Sequence, residues 1–396
     1  MPSDPSIDAG NYRDLFLLRD DVVFLNHGSF GACPRPVFSR FQAWQRELEE
    51  EPVEFLARRF EQLMDDARKD LSAYLHADKD DITYVENATT GLNIIARSLP
   101  LSAGDEVLST DQEYGALDRT WRFICAKRGA RYKRMHICLP ITSREQVIEE
   151  IWSGVSAKTR VLFLSHITSP TAIILPIEEL IERARERGII TVIDGAHAPG
   201  QIDLDLDKLG ADFYVGNCHK WMLAPKGAGF LHARREVQRL IEPLVVSWGY
   251  DSEKPGPSRL IDYTQWQGTR DISSFLAVPA AIEFMREHLW DEVRKRSHDL
   301  LRRFRRRITD LTGLAPITPD SHAWYAQMAA FPLPACDEES LQRALFEEYR
   351  VEVPITLCGD QSFIRVSVQA YNDQNDLDAL TTGLKALLPK FKRSSP

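Results

Sequence analysis

Between residues 80 and 232, short apolar runs rich in Val, Ile and Leu alternate with stretches of helical period. DITYV (81–85) predicts a strand, and the GLNIIARSL that follows sets Leu92, Ile95, Ala96 and Leu99 on one helical face. EVLST (106–110), RVLFLSHIT (160–168), IITVIDGAH (189–197) and ADFYVG predict further strands, and EELIERARERG (178–188) a helix closed by Gly188. Strands that are apolar on both faces and separated by helices belong in a mostly parallel sheet with helices on either side, which is an α/β fold. In such sheets ligands lie beyond the carboxyl ends of the strands, where ENATTG, TDQEYG, HITSPT and DGAHAPG fall.

After the loop EKPGPSR (253–259) the pattern changes. Residues 281–308 predict one long helix with Val293, Leu300, Leu301, Phe304 and Ile308 as its apolar stripe, and their dense arginines read as a solvated face. MAAFPLP, the helix DEESLQRALFEEY, the strand SFIRVSV and a last helix predict a smaller α+β unit. The expected division is a large domain over 20–280 and a small C-terminal domain over 281–396, joined by an N-terminal segment, 1–19. At 396 residues, 43% of them hydrophobic and 27% charged, the chain is long enough to build two cores.

Charge and cysteine usage remove several function classes. A balance of 49 Lys+Arg against 58 Asp+Glu, net -9, argues against a polyanion partner, so no nucleic acid is expected. No uninterrupted apolar run approaches the roughly 20 residues of a membrane helix, and MPSDPSIDAGNYRDLF lacks a basic stretch followed by an apolar one. A cytoplasmic protein without membrane contact is the expectation. Cys33, Cys125, Cys138, Cys218, Cys336 and Cys358 form no CxxC pair, so reduced, mostly buried thiols are expected, with no metal site or disulfide framework. No G-x-G-x-x-G opens a helix after a strand, which argues against a nicotinamide dehydrogenase.

Chemistry enters with GNCHKWMLAPKGAGF (216–230) and with Asp194, which ends a buried strand. Alone, Asp-Gly starts a turn and a loop lysine is solvated. Together, an acid at one strand end and Lys220 beyond the next suit pyridoxal phosphate. The amine forms a Schiff base with the aldehyde, and the carboxylate keeps the pyridine nitrogen protonated. NATTGLN then supplies hydroxyls at a helix start, where free N–H groups and the helix dipole favour a phosphate dianion; by itself it reads as an ordinary N-cap.

DGAHAPG, NCHKWMLAPKG, NATTG, DQEYGA and WQGTRD, in this order and behind FLNHGSFGACP at 24–34, resemble the class V aminotransferase family of fold type I pyridoxal phosphate enzymes. The resemblance covers nearly the whole chain, is strongest over 22–270, and is greatest to epimerase-type members. It implies a seven-stranded-type, mostly parallel sheet in the large domain and pyridoxal 5'-phosphate as cofactor. Lys220 would carry the Schiff base and Asp194 would face the pyridine nitrogen. Thr89, Thr90, Asn217 and His219 would hold the phosphate, Tyr114 would stack on the ring, and Ser169 and His197 would lie near the phenolic oxygen and aldehyde. Thr269 is similar to the residue that reaches the neighbouring subunit's phosphate, which implies a homodimer. Arg365 would bind a substrate α-carboxylate, with Asn26 and His27 also at the substrate.

In FIRVSV, alternation puts Arg365 opposite Ile364, Val366 and Val368, which suits a carboxylate fork and a solvent-facing arginine equally. Epimerisation needs a proton carrier on each face of Cα, for which Lys220 and one of Tyr114, His27 or His197 are available. A carbon-sulfur lyase, an aminotransferase, or a non-catalytic cofactor-binding regulator would retain the same residues. Persulfide transfer is not expected, since Cys358 lacks the longer, histidine-containing loop of cysteine desulfurases. Arg58 and Arg59 suit a second substrate carboxylate or a surface ion-pair network, and Lys226 reads as a loop residue near the pocket mouth.

Overall fold

The computed structural model describes residues 12–393, so residues 1–11 of the expected joining segment lie outside the described residues. The first eight strands are β1 (Val23–Phe24), β2 (Ile82–Val85), β3 (Glu106–Thr110), β4 (Arg131–Met135), β5 (Thr159–Ser165), β6 (Ile190–Gly195), β7 (Phe213–Asn217) and β8 (Gly229–Ala233). Seven of them form one sheet in the order β2-β8-β7-β6-β5-β3-β4, in which only β8 runs antiparallel to its neighbours. Side-chain alternation splits the core into two layers: on β5, Val161 and Phe163 pack with one and Leu162 and Leu164 with the other. The strand β4, RYKRM, escapes the apolar pattern because it is the edge, where charged side chains discourage pairing with another chain. The polar tails of RVLFLSHIT and IITVIDGAH leave the sheet after Ser165 and Gly195, at the carboxyl ends where a ligand would lie.

Helices α1 (Ala88–Ser98) and α2 (Gly115–Arg128) cover one face of this sheet. The single long helix expected over 281–308 is instead two, α3 (Val278–Glu287) and α4 (Trp290–Thr312). Leu289 between them has φ +49°, a left-handed conformation that ends the first helix. The break turns Trp290 into the core beside Phe284, and the Tyr12 hydroxyl donates to the freed His288 carbonyl at 3.1 Å. The stripe Val293, Leu300, Leu301, Phe304 and Ile308 is buried as expected.

Toward the C-terminus, β9 (Met328–Pro332), β11 (Ile355–Cys358) and β12 (Gln361–Ser367) form an antiparallel sheet in the order β11-β12-β9. The short β10 (Val351–Glu352) pairs in parallel with β1, and the Ser367 amide donates to the Leu25 carbonyl at 2.9 Å. The opening segment is thus stitched to the C-terminal sheet before it runs on to the ends of the large sheet. Among the described residues no helix is long and apolar enough to cross a membrane, and no group of three or more His, Cys, Asp or Glu is placed to hold a metal ion.

Candidate active site

Asp194 sits at the end of β6 with Ser165 of β5 and Val215 of β7 as its register partners. One carboxyl oxygen accepts the Ala196 N–H at 2.9 Å, and burial pushes the group up to about 6, opposed by that hydrogen bond and by the charge of Lys220. Lys220 follows β7 in a loop whose Trp221, Met222, Leu223 and Ala224 are buried, so its stem emerges from packed apolar surroundings. Burial, reinforced by the cation of Arg365, pulls the amine down to about 8.

Hydrogen-bond directions bear on the same amine. The Trp221 indole N–H can only donate, and it donates to His197 Nδ1 at 3.3 Å. His197, buried and neutral, therefore carries its hydrogen on Nε2. That nitrogen presents its N–H to Lys220 Nζ at 3.3 Å, a contact the amine accepts once it has lost its proton, above about pH 8. A neutral, desolvated amine is the nucleophilic form a carbonyl-bearing cofactor requires.

The N-terminus of α1 lies alongside. Asn87 caps it by accepting the Thr90 amide at 2.9 Å, and Asn217 at the end of β7 accepts the Ala88 amide at 2.8 Å. Among the described residues, no hydrogen bond engages the Thr89 amide or hydroxyl, which leaves both as donors at the mouth of the helix. His219 donates Nδ1–H to the Ala228 carbonyl at 2.7 Å and is pulled down to about 4 by burial. Its free Nε2 is an acceptor, so contact with a phosphate oxygen requires His219 to take up a proton.

Arg365 on β12 is 5% exposed, and both faces of its strand are buried, which removes the solvent-facing alternative. It donates from Nη1 to the Ser169 carbonyl at 2.5 Å and from Nη2 to the Ser29 hydroxyl at 3.1 Å. Its buried Nε has no partner. Desolvation brings the guanidinium down to about 10, so it keeps its proton at neutral pH. Tyr114, at the N-cap of α2, is half exposed.

His27 departs from expectation. It is fully buried, and because the Lys220 carbonyl can only accept, Nε2–H donates to it at 3.0 Å. Nδ1 then accepts the Tyr371 hydroxyl at 2.9 Å and the Ala32 amide at 3.3 Å. Burial pulls the ring down to about 3, so His27 braces the backbone of the lysine rather than carrying protons. Asn26 likewise spends its side chain on Glu352 and Ser29. The opening loop is a saddle against the lysine turn: Gly31 packs on the His219 carbonyl, and the Lys226 ammonium donates to the Gly31 carbonyl at 2.7 Å.

Thr269 is not brought to this group. It is exposed and lines a separate cavity of about 730 Å³ with Val53, Phe60, Trp248 and Trp266. Arg58 and Arg59 spend their charges on Glu51, Glu54 and Glu47, which is the surface ion-pair network. Cys358 is half-buried rather than buried, its thiol 3.3 Å from Gln112 Nε2 and pushed up by desolvation. Cys33 is also half-buried and Cys138 exposed, whereas Cys125, Cys218 and Cys336 are buried.

Two features escaped the sequence. Glu113, inside the DQEYGA motif, is buried with its carboxyl oxygens on the Thr110 and Ser165 hydroxyls at 2.7 and 2.6 Å, and burial pushes it up to about 8. Its position next to Tyr114 was the available signal. Ser29, two positions after the expected Asn26–His27 pair, touches Arg365 directly.

A seven-stranded, mostly parallel sheet with an amine, an acid and a helix N-terminus at its strand ends defines an α/β enzyme built for an anionic carbonyl cofactor. The chain belongs to the class V aminotransferase family, whose model, Aminotransferase class-V, matches residues 33–380; the family uses pyridoxal phosphate. It is 37% identical over 390 residues to an isopenicillin N epimerase of Amycolatopsis lactamdurans, covering 95% of this chain and 98% of that one. It is 28% identical over 404 residues to a probable chloroplastic L-cysteine desulfhydrase of Arabidopsis thaliana, covering 93% and 83%. A cysteine desulfurase from Thermococcus onnurineus NA1 shares the fold, with a TM-score of 0.82 at 19% identity over 96% of this chain and 98% of that one.

Proposed function

We propose that the protein is an epimerase acting at Cα of an amino acid or aminoacyl peptide, with pyridoxal phosphate held by Lys220, Asp194, Thr89, Thr90, Asn217 and His219. The residues fit the cofactor: the amine of Lys220 is brought down to about 8 by burial and faces the N–H of His197, Asp194 has spent one carboxyl oxygen on a backbone amide, and the Thr89 donors are unspent. When bound, the cofactor supplies an electron-withdrawing pyridinium that acidifies the Cα–H of an amine-linked substrate. Asp194, once ionised, holds a positive ring nitrogen. Arg365 takes the substrate carboxylate through its unpartnered Nε–H and the open side of its fork. Lys220 Nζ holds and returns the Cα proton on its own face.

For the opposite face, both ring nitrogens of His27 are committed to the fold, and His197 is held between Trp221 and Lys220. Tyr114, half exposed and with no hydrogen bond to its hydroxyl among the described residues, is left as the second proton carrier. The likeness to isopenicillin N epimerases favours inversion over elimination. We place a second copy of the chain against the cavity that holds Thr269. The apolar stretch beside it, with Val246 69% and Trp248 85% exposed, supports a homodimer in which Thr269 serves the neighbouring site.

The buried Lys220 amine, with its proton loosened by desolvation, carries this reading. Borohydride should fix the cofactor to the wild-type protein and to Lys226→Ala but not to Lys220→Ala, and label on Lys220→Ala would defeat the assignment. A panel of amino acids and aminoacyl peptides scored in parallel for inversion, α-keto acid and sulfide separates the reactions. Sulfide without inversion would replace the epimerase with a carbon-sulfur lyase like the desulfhydrase relatives.

A further inference from the structure

We propose that Ser29, Asn26 and Glu352 are positioning residues that hold the Arg365 guanidinium in the orientation that selects a substrate carboxylate; this rests on the carboxylate-binding reading of Arg365. Three hydrogen bonds connect them: Arg365 Nη2 to Ser29 Oγ at 3.1 Å, Ser29 Oγ to Asn26 Oδ1 at 2.5 Å, and Asn26 Nδ2 to Glu352 Oε1 at 3.0 Å.

The end groups dictate every direction in the series. A guanidinium only donates, so the Ser29 oxygen accepts and its single hydrogen turns to Asn26. A carboxylate only accepts, so Asn26 presents its amide nitrogen to Glu352. All three dipoles therefore point the same way, from cation to anion, the arrangement in which successive bonds strengthen one another. Among the described residues Arg365 has no acid within ion-pairing distance, so the carboxylate of Glu352 reaches it only through this series.

A direct acid partner would occupy the fork that a substrate carboxylate needs. The relay leaves Nε–H free, buried and unpartnered, while it limits the rotation of a long side chain. Its geometry is rigid because Glu352 is the register partner of Phe24 in the β1–β10 pair, two residues before Asn26.

The test compares binding of 2-methylalanine, which has no Cα hydrogen to lose, with its carboxamide, by titrating the visible band of the holoenzyme. Wild type should prefer the acid by about 100-fold, and loss of one charge-assisted bond should cut this to about tenfold in Ser29→Ala. Glu352→Gln, which keeps an acceptor but removes the charge, should fall between. Ser29→Thr, which restores the hydroxyl, should recover the preference. The affinity of the apoprotein for pyridoxal phosphate and the melting temperature should stay near wild type in Glu352→Gln, which separates aim from folding. If Ser29→Ala and Glu352→Gln both keep the wild-type preference while Arg365→Ala loses it, the relay is refuted and the carboxylate reading stands. If Arg365→Ala also keeps it, the carboxylate reading fails and the relay with it.

Discussion

Gly31 offers a sharp test of the saddle against which Lys220 rests. It has φ +68°, and a Cβ added there would lie 2.3 Å from the His219 carbonyl oxygen and 3.0 Å from Lys220 Cα. Gly188 has a similar φ, +64°, but nothing within 4 Å of the same added atom. Alanine at either position bears the left-handed backbone cost, about 1 kcal/mol. Only at Gly31 must two backbone segments also part by about 1 Å, and overpacking of that kind costs about 1–3 kcal/mol more. With roughly 2 °C lost per kcal/mol in a chain of this size, Gly188→Ala should melt about 2 °C lower and Gly31→Ala about 4–8 °C lower. Displacement of the His219–Lys220 backbone should also weaken cofactor capture, by about tenfold or more, in Gly31→Ala alone. Scanning calorimetry of the apoproteins and absorbance titration with pyridoxal phosphate measure both effects. Equal melting losses in the two variants, with wild-type cofactor affinity in Gly31→Ala, would refute the contact.

Two further outcomes concern pH. Because burial raises Asp194 from 3.8 to about 6, the folded apoprotein holds a proton there that the unfolded chain releases, and stability falls as pH rises from 4 to 6, by about 3 kcal/mol. Asp194→Asn should remove that part of the decline in urea midpoints and should weaken the cofactor; an unchanged pH profile would contradict the burial argument. The Lys220 amine, lowered to about 8, should capture cofactor at a rate that rises with pH and levels off above that value. Arg365→Gln, which deletes a cation that holds it down, should move the midpoint upward in stopped-flow absorbance, and a midpoint that stays put would mean burial alone sets it.

The strands from β2 to β7 that run through the core were legible because residues buried on both faces leave a continuous apolar record, and Asp194 and Lys220 stood out as charges that end or follow such runs. Three things were not. Edge strand β4 carries Arg131, Lys133 and Arg134, so its pattern resembles a loop. The helix break at Leu289 depends on where Trp290 finds space in the core, a tertiary choice without a local marker. The role of His27 depends on partners more than 190 positions away, at Lys220 and Tyr371, and the relay from Arg365 runs through Glu352, which nothing in its own neighbourhood singles out. Motif reading named Asn26 and His27 but assigned them to the substrate, and it passed over Ser29 and Glu352.

The pairing of β1 with β10 has a consequence for how the protein is made. Residues 23 and 24 leave the ribosome 328 positions ahead of their partners, 351 and 352 (351 - 23 = 328). Until then the loop that braces Lys220 from above lacks this anchor, although the large sheet below it is complete. Cofactor capture should therefore wait for residues 351 and 352, whose pairing with β1 completes the site as its last assembled part.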